Sequence, residues 1–149
     1  MKKSKISLLA LLFFVVDITF AASNQAVIVK PDNLQWLPAN GLPGAEVALI
    51  SGDPEKPGPF IARVKLPANF QIPVHTHSIN EYDTVLSGTL YLGTGKNADV
   101  NQAQAIPAGA FVMIPAHIQH YAFTKDETIL QINGQGPWGM IYKNTQNKS

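Results

Sequence analysis

After residue 21 the chain shows no hydrophobic pattern of helical spacing, and consists instead of short runs of β-branched and aromatic residues. Glycine, proline and asparagine separate these runs. Between Phe60 and Leu66 apolar side chains occupy alternate positions, which is the pattern of a half-buried strand. Many short strands with turn residues between them predict an all-β sandwich or barrel. The predicted strands are residues 26–30, 46–50, 59–66, 84–86, 89–92, 111–114, 120–123, 128–132 and 139–142.

The segments between the runs are predicted to be turns and loops. Gly88 follows Ser87 between two strand-like runs, which predicts a tight hairpin. Residues 31–58 are rich in proline and glycine and are expected to form loops and edge structure. The polar residues 93–102 are expected to form a surface loop, and the tail 144–149 is expected to fray.

The first residues have the layout of a secretory signal peptide. MKKSK is cationic, residues 6–16 are an unbroken apolar run, and TFAAS supplies small residues. The run is too short to span a bilayer, which takes ~20 apolar residues. A buried N-terminal helix is the alternative, but it does not explain this order of features. We expect residues 1–21 to be cleaved, with Ala22 or Ser23 as alternative ends. Residues 24–149 would form a single domain in the periplasm or outside the cell.

Composition narrows the classes of partner. Loss of the leader removes three lysines and Asp17, which turns the formal net charge from +1 to near −1. The chain has neither the basic stripe typical of nucleic-acid binders nor a polybasic cluster for membranes, so neither partner is expected after signal cleavage. The chain has no cysteine, which excludes disulfides, iron–sulfur clusters and thiolate zinc sites.

All four histidines lie in two short stretches, PVHTHSINE and IPAHIQH. His75 and His77 are two apart, so on a strand they point to one face about 6.6 Å apart and can reach one ion at about 2.1 Å. Glu81, beyond a predicted turn at 78–80, can bring a carboxylate to the same point. One more histidine would complete a set of metal ligands with three nitrogens and one oxygen. A His-x-His pair alone is more often simply exposed, but the confinement of all four histidines favours a site.

The first stretch resembles the first motif of the cupin superfamily, Gly-x5-His-x-His-x3-Glu-x6-Gly. Here that motif starts at Asn69 and ends at Gly88, with His75, His77 and Glu81 in the ligand positions.

The second stretch resembles the second cupin motif, Gly-x5-Pro-x-Gly-x2-His-x3-Asn. It runs from Gly109 to Thr124, and His120 fills the ligand position. His117 and Asn69 stand where the family has turn glycines. Both residue types are enriched at positive φ, so both turns remain feasible. Thr124 replaces the terminal asparagine, and we expect little effect on metal binding.

The resemblance implies a cupin double-stranded β-helix, a small jelly-roll-like barrel. It also implies one divalent first-row metal ion held by His75, His77, Glu81 and His120. Iron, manganese, nickel, copper and zinc all suit this donor set. Cupins with the complete set include dioxygenases acting on flavonols or acireductones, oxalate-degrading enzymes, germins and sugar isomerases.

The resemblance therefore implies a metal-dependent oxidoreductase of dioxygenase type on a small organic substrate, with Glu81 also catalytic. One alternative is a non-catalytic metal-containing cupin that binds or senses a ligand. A metal-free sugar-binding cupin is a further alternative, although retention of all four ligands argues against it. A small molecule is the expected partner, and a homodimer is compatible with the sequence. Six further residues are candidates for contacting the ligands or lining the pocket, although such residues are more often part of the core. They are His117, Tyr82, Tyr91, Met113, Tyr121 and Gln131.

Overall fold

The computed structural model describes residues 26–142, and in that range it is built almost entirely of antiparallel strands. The one helical segment of these residues is a 3₁₀ turn, Pro31–Asn33. The strands are β1 (Leu37–Pro38), β2 (Glu46–Ser51), β3 (Gly58–Leu66), β4 (Gln71–Thr76), β5 (Glu81–Ser87), β6 (Thr89–Thr94), β7 (Gln104–Pro107), β8 (Phe111–Ile114), β9 (His120–Thr124), β10 (Thr128–Gly136) and β11 (Ile141–Tyr142).

The strands form two sheets that enclose the interior between them. The six-stranded sheet has the order β1-β2-β3-β10-β5-β8, and the five-stranded sheet has the order β11-β4-β9-β6-β7. From β4 onward, the chain passes repeatedly from one sheet to the other, so β4 and β5 lie in different sheets, as do β8 and β9. This is a double-stranded β-helix, and the predicted all-β fold is confirmed.

The core lies between the sheets and follows the alternation seen in the sequence. On β3, Phe60, Ala62, Val64 and Leu66 are all buried. Val64 pairs with Leu130 of the neighbouring strand β10, so β3 and β10 place apolar side chains next to each other in the core. Burial of one such large apolar side chain stabilises the fold by about 1.5–3 kcal/mol. Leu90 and Ala122 of the five-stranded sheet belong to the same core.

The predicted strand at residues 26–30 is wrong. Residues 26–30 belong to no sheet, and Val27 and Ile28 are 84% and 77% exposed. β-branched residues favour an extended backbone, but they form a strand only where a neighbouring strand pairs with them. The 3₁₀ turn begins at Pro31, and β1 and β7, which were not predicted, take edge positions in the two sheets.

The predicted hairpin at Gly88 is also wrong. β5 pairs with β10 and β8, whereas β6 pairs with β9 and β7, so Gly88 carries the chain from one sheet to the other. Its φ is 72°, and a Cβ atom there would overlap the carbonyl oxygen of Glu127. A glycine between two strand-like runs indicates a sharp turn, but it does not indicate that the two strands pair.

The predicted signal peptide, residues 1–21, and its cleavage site lie outside the described residues, as does the tail expected to fray. No helix within residues 26–142 has the length and apolar character needed to cross a membrane.

Candidate metal centre

Two turns with left-handed backbone conformation position the strands that carry the histidines. Asn69 has a φ of 58° and His117 a φ of 65°, as their places in the cupin motifs predict. The backbone N–H of His117 donates a 2.8 Å hydrogen bond to the carbonyl oxygen of His77. The turn of the second motif is thereby attached to the end of the first, while the side chain of His117 is exposed.

Three imidazoles converge inside the barrel. His75 on β4 lies directly opposite His120 on β9 in the strand register, and His77 follows one residue after β4. One ring nitrogen from each histidine lies within 4.8 Å of the others. The exposed fractions are 5% for His75 and 2% for His77 and His120. We call these three residues the histidine cluster.

Each ring of the histidine cluster is oriented by a backbone carbonyl. The Nδ1 atoms of His75, His77 and His120 lie 2.7, 2.8 and 2.9 Å from the carbonyl oxygens of Pro73, Gly139 and Ile118. A carbonyl oxygen can only accept, so each Nδ1 carries the proton and donates it. In the neutral imidazole the Nε2 atom is then left with a free lone pair, which is the arrangement of histidines that bind metals.

Glu81 completes the group from the opposite sheet. It is the first residue of β5 and is buried, and its Oε2 lies 3.1 Å from Nε2 of His77 and 3.5 Å from Nε2 of His120. A carboxylate oxygen and an imidazole lone pair repel each other unless a proton or a cation lies between them. Nε2 of His77 is buried and has no hydrogen-bond partner of suitable geometry. The donor set of three nitrogens and one oxygen therefore fits a divalent ion.

The pKa shifts of His75 and Glu81 favour the protonation states that metal ligands need, and the shift of His77 is opposite in the metal-free protein. Burial is the largest influence on the pKa of His75 and lowers it to about 4, so its imidazole is neutral at pH 7. Burial raises the pKa of Glu81, but the adjacent imidazoles of His120 and His77 outweigh burial and lower that pKa to about 2. Burial lowers the pKa of His77, but the Glu81 carboxylate outweighs burial and the net shift is upward. A bound cation would take the place of that proton.

The histidine cluster and Glu81 open into a cavity of about 680 Å³ between the sheets. Strand residues of both sheets form most of its wall, and residues 35–42, 53–55 and 138–140 complete it. The lining is predominantly apolar, with contributions from Val64, Leu66, Leu90 and Ile132. Such a cavity can hold a small organic molecule beside the cluster.

Comparison with known proteins identifies the family. The profile of a family described as a domain of unknown function, DUF4437, matches residues 27–146. The chain belongs to this family. No curated protein matches the sequence.

Solved structures show that this DUF4437 protein has the cupin fold. An RmlC-like cupin from Ralstonia eutropha is similar with a TM-score of 0.63 and 19% identity, over 83% of this chain and 76% of that one. The polyketide cyclase RemF from Streptomyces resistomycificus has a TM-score of 0.64 and 14% identity, over 81% and 89%. A candidate acetylacetone dioxygenase from Methylibium petroleiphilum has a TM-score of 0.64 and 14% identity, over 88% and 91%.

None of the six further candidates from the sequence lines the cavity of this DUF4437 protein. Tyr82 and Met113 are paired across β5 and β8 and are 38% and 46% exposed. They and Tyr121 occupy strand positions that alternate with inward-facing residues.

Other contacts account for the remaining candidates. The hydroxyl of Tyr121 donates a hydrogen bond to the carbonyl oxygen of Asp99, and the side-chain oxygen of Gln131 accepts one from Arg63. Tyr91 stacks on Phe123, and the His117 side chain is exposed.

Asp83 and Trp138 line the cavity of the DUF4437 protein and were not among the candidates from the sequence. Asp83 is 3% exposed and lies two residues after Glu81 on β5, so the same alternation that predicts buried strand residues could have identified it. The indole of Trp138 stacks on the imidazole of His77, with ring centroids 4.5 Å apart and planes 12° apart. Trp138 lies 61 positions from His77 in no regular strand, and no sequence pattern indicates that contact.

Proposed function

We propose that this protein is a secreted metal-dependent enzyme, an oxidoreductase of dioxygenase type that acts on a small organic substrate. It would use one divalent first-row metal ion held by His75, His77, Glu81 and His120. The observation that carries this proposal is the convergence of three carbonyl-oriented imidazoles, with the Glu81 carboxylate against two of them, beside a cavity of about 680 Å³. Secretion is supported by the predicted leader, residues 1–21.

The protein's own residues supply orientation and exclusion of water. The carbonyls of Pro73, Gly139 and Ile118 hold the three rings so that no ligand has to reorganise when an ion binds. The stack of Trp138 on His77 closes one side of the cluster. A divalent ion bound there would supply a Lewis acid and, if redox-active, a path for electrons between substrate and oxygen. The apolar walls would keep bulk water from the reacting atoms.

Glu81 is the candidate for moving a proton. Its Oε2 lies beside Nε2 of His77 and of His120, where a substrate hydroxyl or enol would approach. Because its pKa is lowered to about 2, Glu81 is ionised but is a weak base. It would accept a proton only from an acidic substrate group held within hydrogen-bond distance of its Oε2.

The general similarity of the fold to the candidate acetylacetone dioxygenase and to RemF also supports action on a small organic molecule. At 14% identity the likeness shows the fold alone, so the proposed chemistry rests on the donor set of this protein.

The test is elemental analysis of the mature protein purified without chelators, followed by oxygen-consumption assays. We expect one ion per chain, and oxygen uptake with at least one compound among small β-diketones, enediols, phenols and oxalate. Metal content well below one per chain after reconstitution with iron, manganese, nickel and zinc would contradict the metal site.

A non-catalytic cupin that binds or senses a ligand remains the second candidate, because the cavity would serve binding without turnover. Full metal content, tight binding of a small molecule and no turnover of any compound tested would favour that function over the enzyme.

A further inference from the structure

We propose that the cavity takes a neutral, largely apolar small molecule bearing a hydroxyl group, and that the carboxyl group of Asp83 pairs with that hydroxyl. The inference rests on the proposed function in one respect, since it names the substrate class of the same site. It makes Asp83 a specificity-determining residue beyond the four residues assigned to the metal.

The apolar character of the cavity is the first argument. Its wall combines side chains of both sheets with the indole of Trp138 and the thioether of Met140. A volume of about 680 Å³ lies in the range of cavities that enclose most of a small organic ligand. A ligand that exposes mainly carbon to this wall gains from leaving water, whereas a sugar or a polyol would bury many hydroxyl groups without partners.

The charges around the cavity are the second argument. Within residues 26–142 no lysine or arginine lines it. Lys56 pairs with Asp53 at 2.7 Å, Lys65 pairs with Glu46 at 2.8 Å, and Arg63 donates to Gln131. The carboxyl groups that line the cavity, apart from Glu81, belong to Asp53, Glu55 and Asp83. A ligand with a carboxylate or phosphate away from the metal would therefore find no lysine or arginine in this wall to pair with.

The unpaired buried carboxyl group of Asp83 is the third argument. Asp83 lies on β5 and lines the cavity, and only 3% of its surface is exposed. Its Oδ1 atom has no hydrogen-bond partner among the described residues. Buried polar groups in native proteins almost always have a partner, so an unpaired one beside a cavity indicates a ligand group. A hydroxyl group can both donate and accept, so it pairs with this carboxyl group in either protonation state.

The experiment compares three probes of similar size by calorimetry: 4-tert-butylphenol, tert-butylbenzene and 4-tert-butylbenzoate. The mature protein is stripped of metal with a chelator and shown to be folded by its thermal transition, so that binding does not depend on metal chemistry. Zinc binding is measured separately. We expect the phenol to bind more tightly than the benzoate.

Variants at one position then assign the hydroxyl contact to Asp83. The preference for the phenol over tert-butylbenzene should fall about tenfold or more in Asp83→Leu, because one hydrogen bond to a buried polar group is lost. Asp83→Asn should retain most of the preference, because its amide can still pair with a hydroxyl. Thr84→Val is the matched control, since Thr84 is the next residue on β5 and does not line the cavity.

The outcomes separate this inference from the proposed function. Benzoate binding as tight as phenol binding would overturn the neutral substrate class. An unchanged phenol preference in Asp83→Leu would overturn the role of Asp83. Failure of all three probes to bind, in protein that takes up one zinc per chain, would overturn the inference and leave the metal site standing. Failure to bind zinc would contradict the proposed function whatever the probes do.

Discussion

Replacement of His120 and of His117 by alanine should have very different effects on metal binding. The two residues are three positions apart and chemically identical, yet only His120 belongs to the histidine cluster. Its Nε2 lies 3.5 Å from Oε2 of Glu81, whereas the His117 side chain is exposed. The contribution of His117 to the site is a backbone hydrogen bond to His77, which alanine retains.

The expected loss of metal affinity depends on whether the removed ring belongs to the histidine cluster. Loss of a residue that merely orients a metal ligand typically costs 10–100-fold in metal affinity, so loss of a ligand itself should cost at least about 100-fold, or about 2.7 kcal/mol. At a zinc concentration 1,000 times the wild-type dissociation constant, binding stabilises the wild type by about 4.1 kcal/mol. The same zinc concentration would stabilise His120→Ala by only about 1.4 kcal/mol.

The assay is thermal unfolding followed by circular dichroism, with zinc and with chelator. For a domain of this size we expect zinc to raise Tm by about 15 °C in the wild type and in His117→Ala, and by about 5 °C in His120→Ala. Each variant is compared with its own metal-free form, so a folding cost of the substitution cancels. Equal losses of the zinc shift in the two variants would refute the assignment of His120 as the ligand.

Three further predictions concern the carboxylate, pH and export. Glu81→Gln should keep weakened metal binding through three imidazoles and lose nearly all turnover; full activity with full metal content would remove its proton-transfer role. In the metal-free protein His75 should contribute a loss of up to about 3 kcal/mol of stability as pH falls from about 6.5 to about 4, because its folded pKa is about 4 and its unfolded form binds more protons in that window. Asp83 acts in the opposite direction over part of this range, so urea unfolding should measure the loss as the difference between the wild type and His75→Gln; equal pH slopes in the two proteins would contradict it. Mass spectrometry of protein recovered from the periplasm or medium should show an N-terminus after about Ala21, and an intact Met1 would rule out cleavage.

Most strand positions could be predicted from the sequence because burial between two sheets requires alternate apolar residues. β3 is the clearest case, with every second residue from Phe60 to Leu66 buried. Alternation reports which face of a strand is buried, but it does not report which strands pair. That is why Gly88 could be identified as a sharp turn and was nevertheless assigned to the wrong connection.

The cluster could be predicted because its members are side chains at short, regular spacings. The positive φ values of Asn69 and His117 could be predicted as well, since a turn restricts residue type. The carbonyl groups that orient the rings could not be predicted, because every residue has one. Gly139, whose carbonyl orients His77, lies 62 residues away and is brought there only by the folded chain.

Asp83 links stability to the site, and its replacement by leucine should stabilise the metal-free protein at neutral pH. Burial, and then the negative charge of Glu81, raise the pKa of Asp83 well above its usual value. The folded state therefore binds more protons than the unfolded state above about pH 3.9, so stability falls as pH rises from there through the folded pKa. Leucine removes that loss and also removes the unpaired buried carboxyl group. Asp83→Leu should therefore have a free energy of unfolding about 1–3 kcal/mol higher than the wild type at pH 7, and a much smaller advantage below about pH 3.9. Urea unfolding at pH 7 and below about pH 3.9 measures the difference, and an Asp83→Leu variant less stable than the wild type at pH 7 would show that the carboxyl group has an internal partner. A gain in stability together with a lost preference for the phenol is the combination expected of a residue retained for binding at the expense of folding.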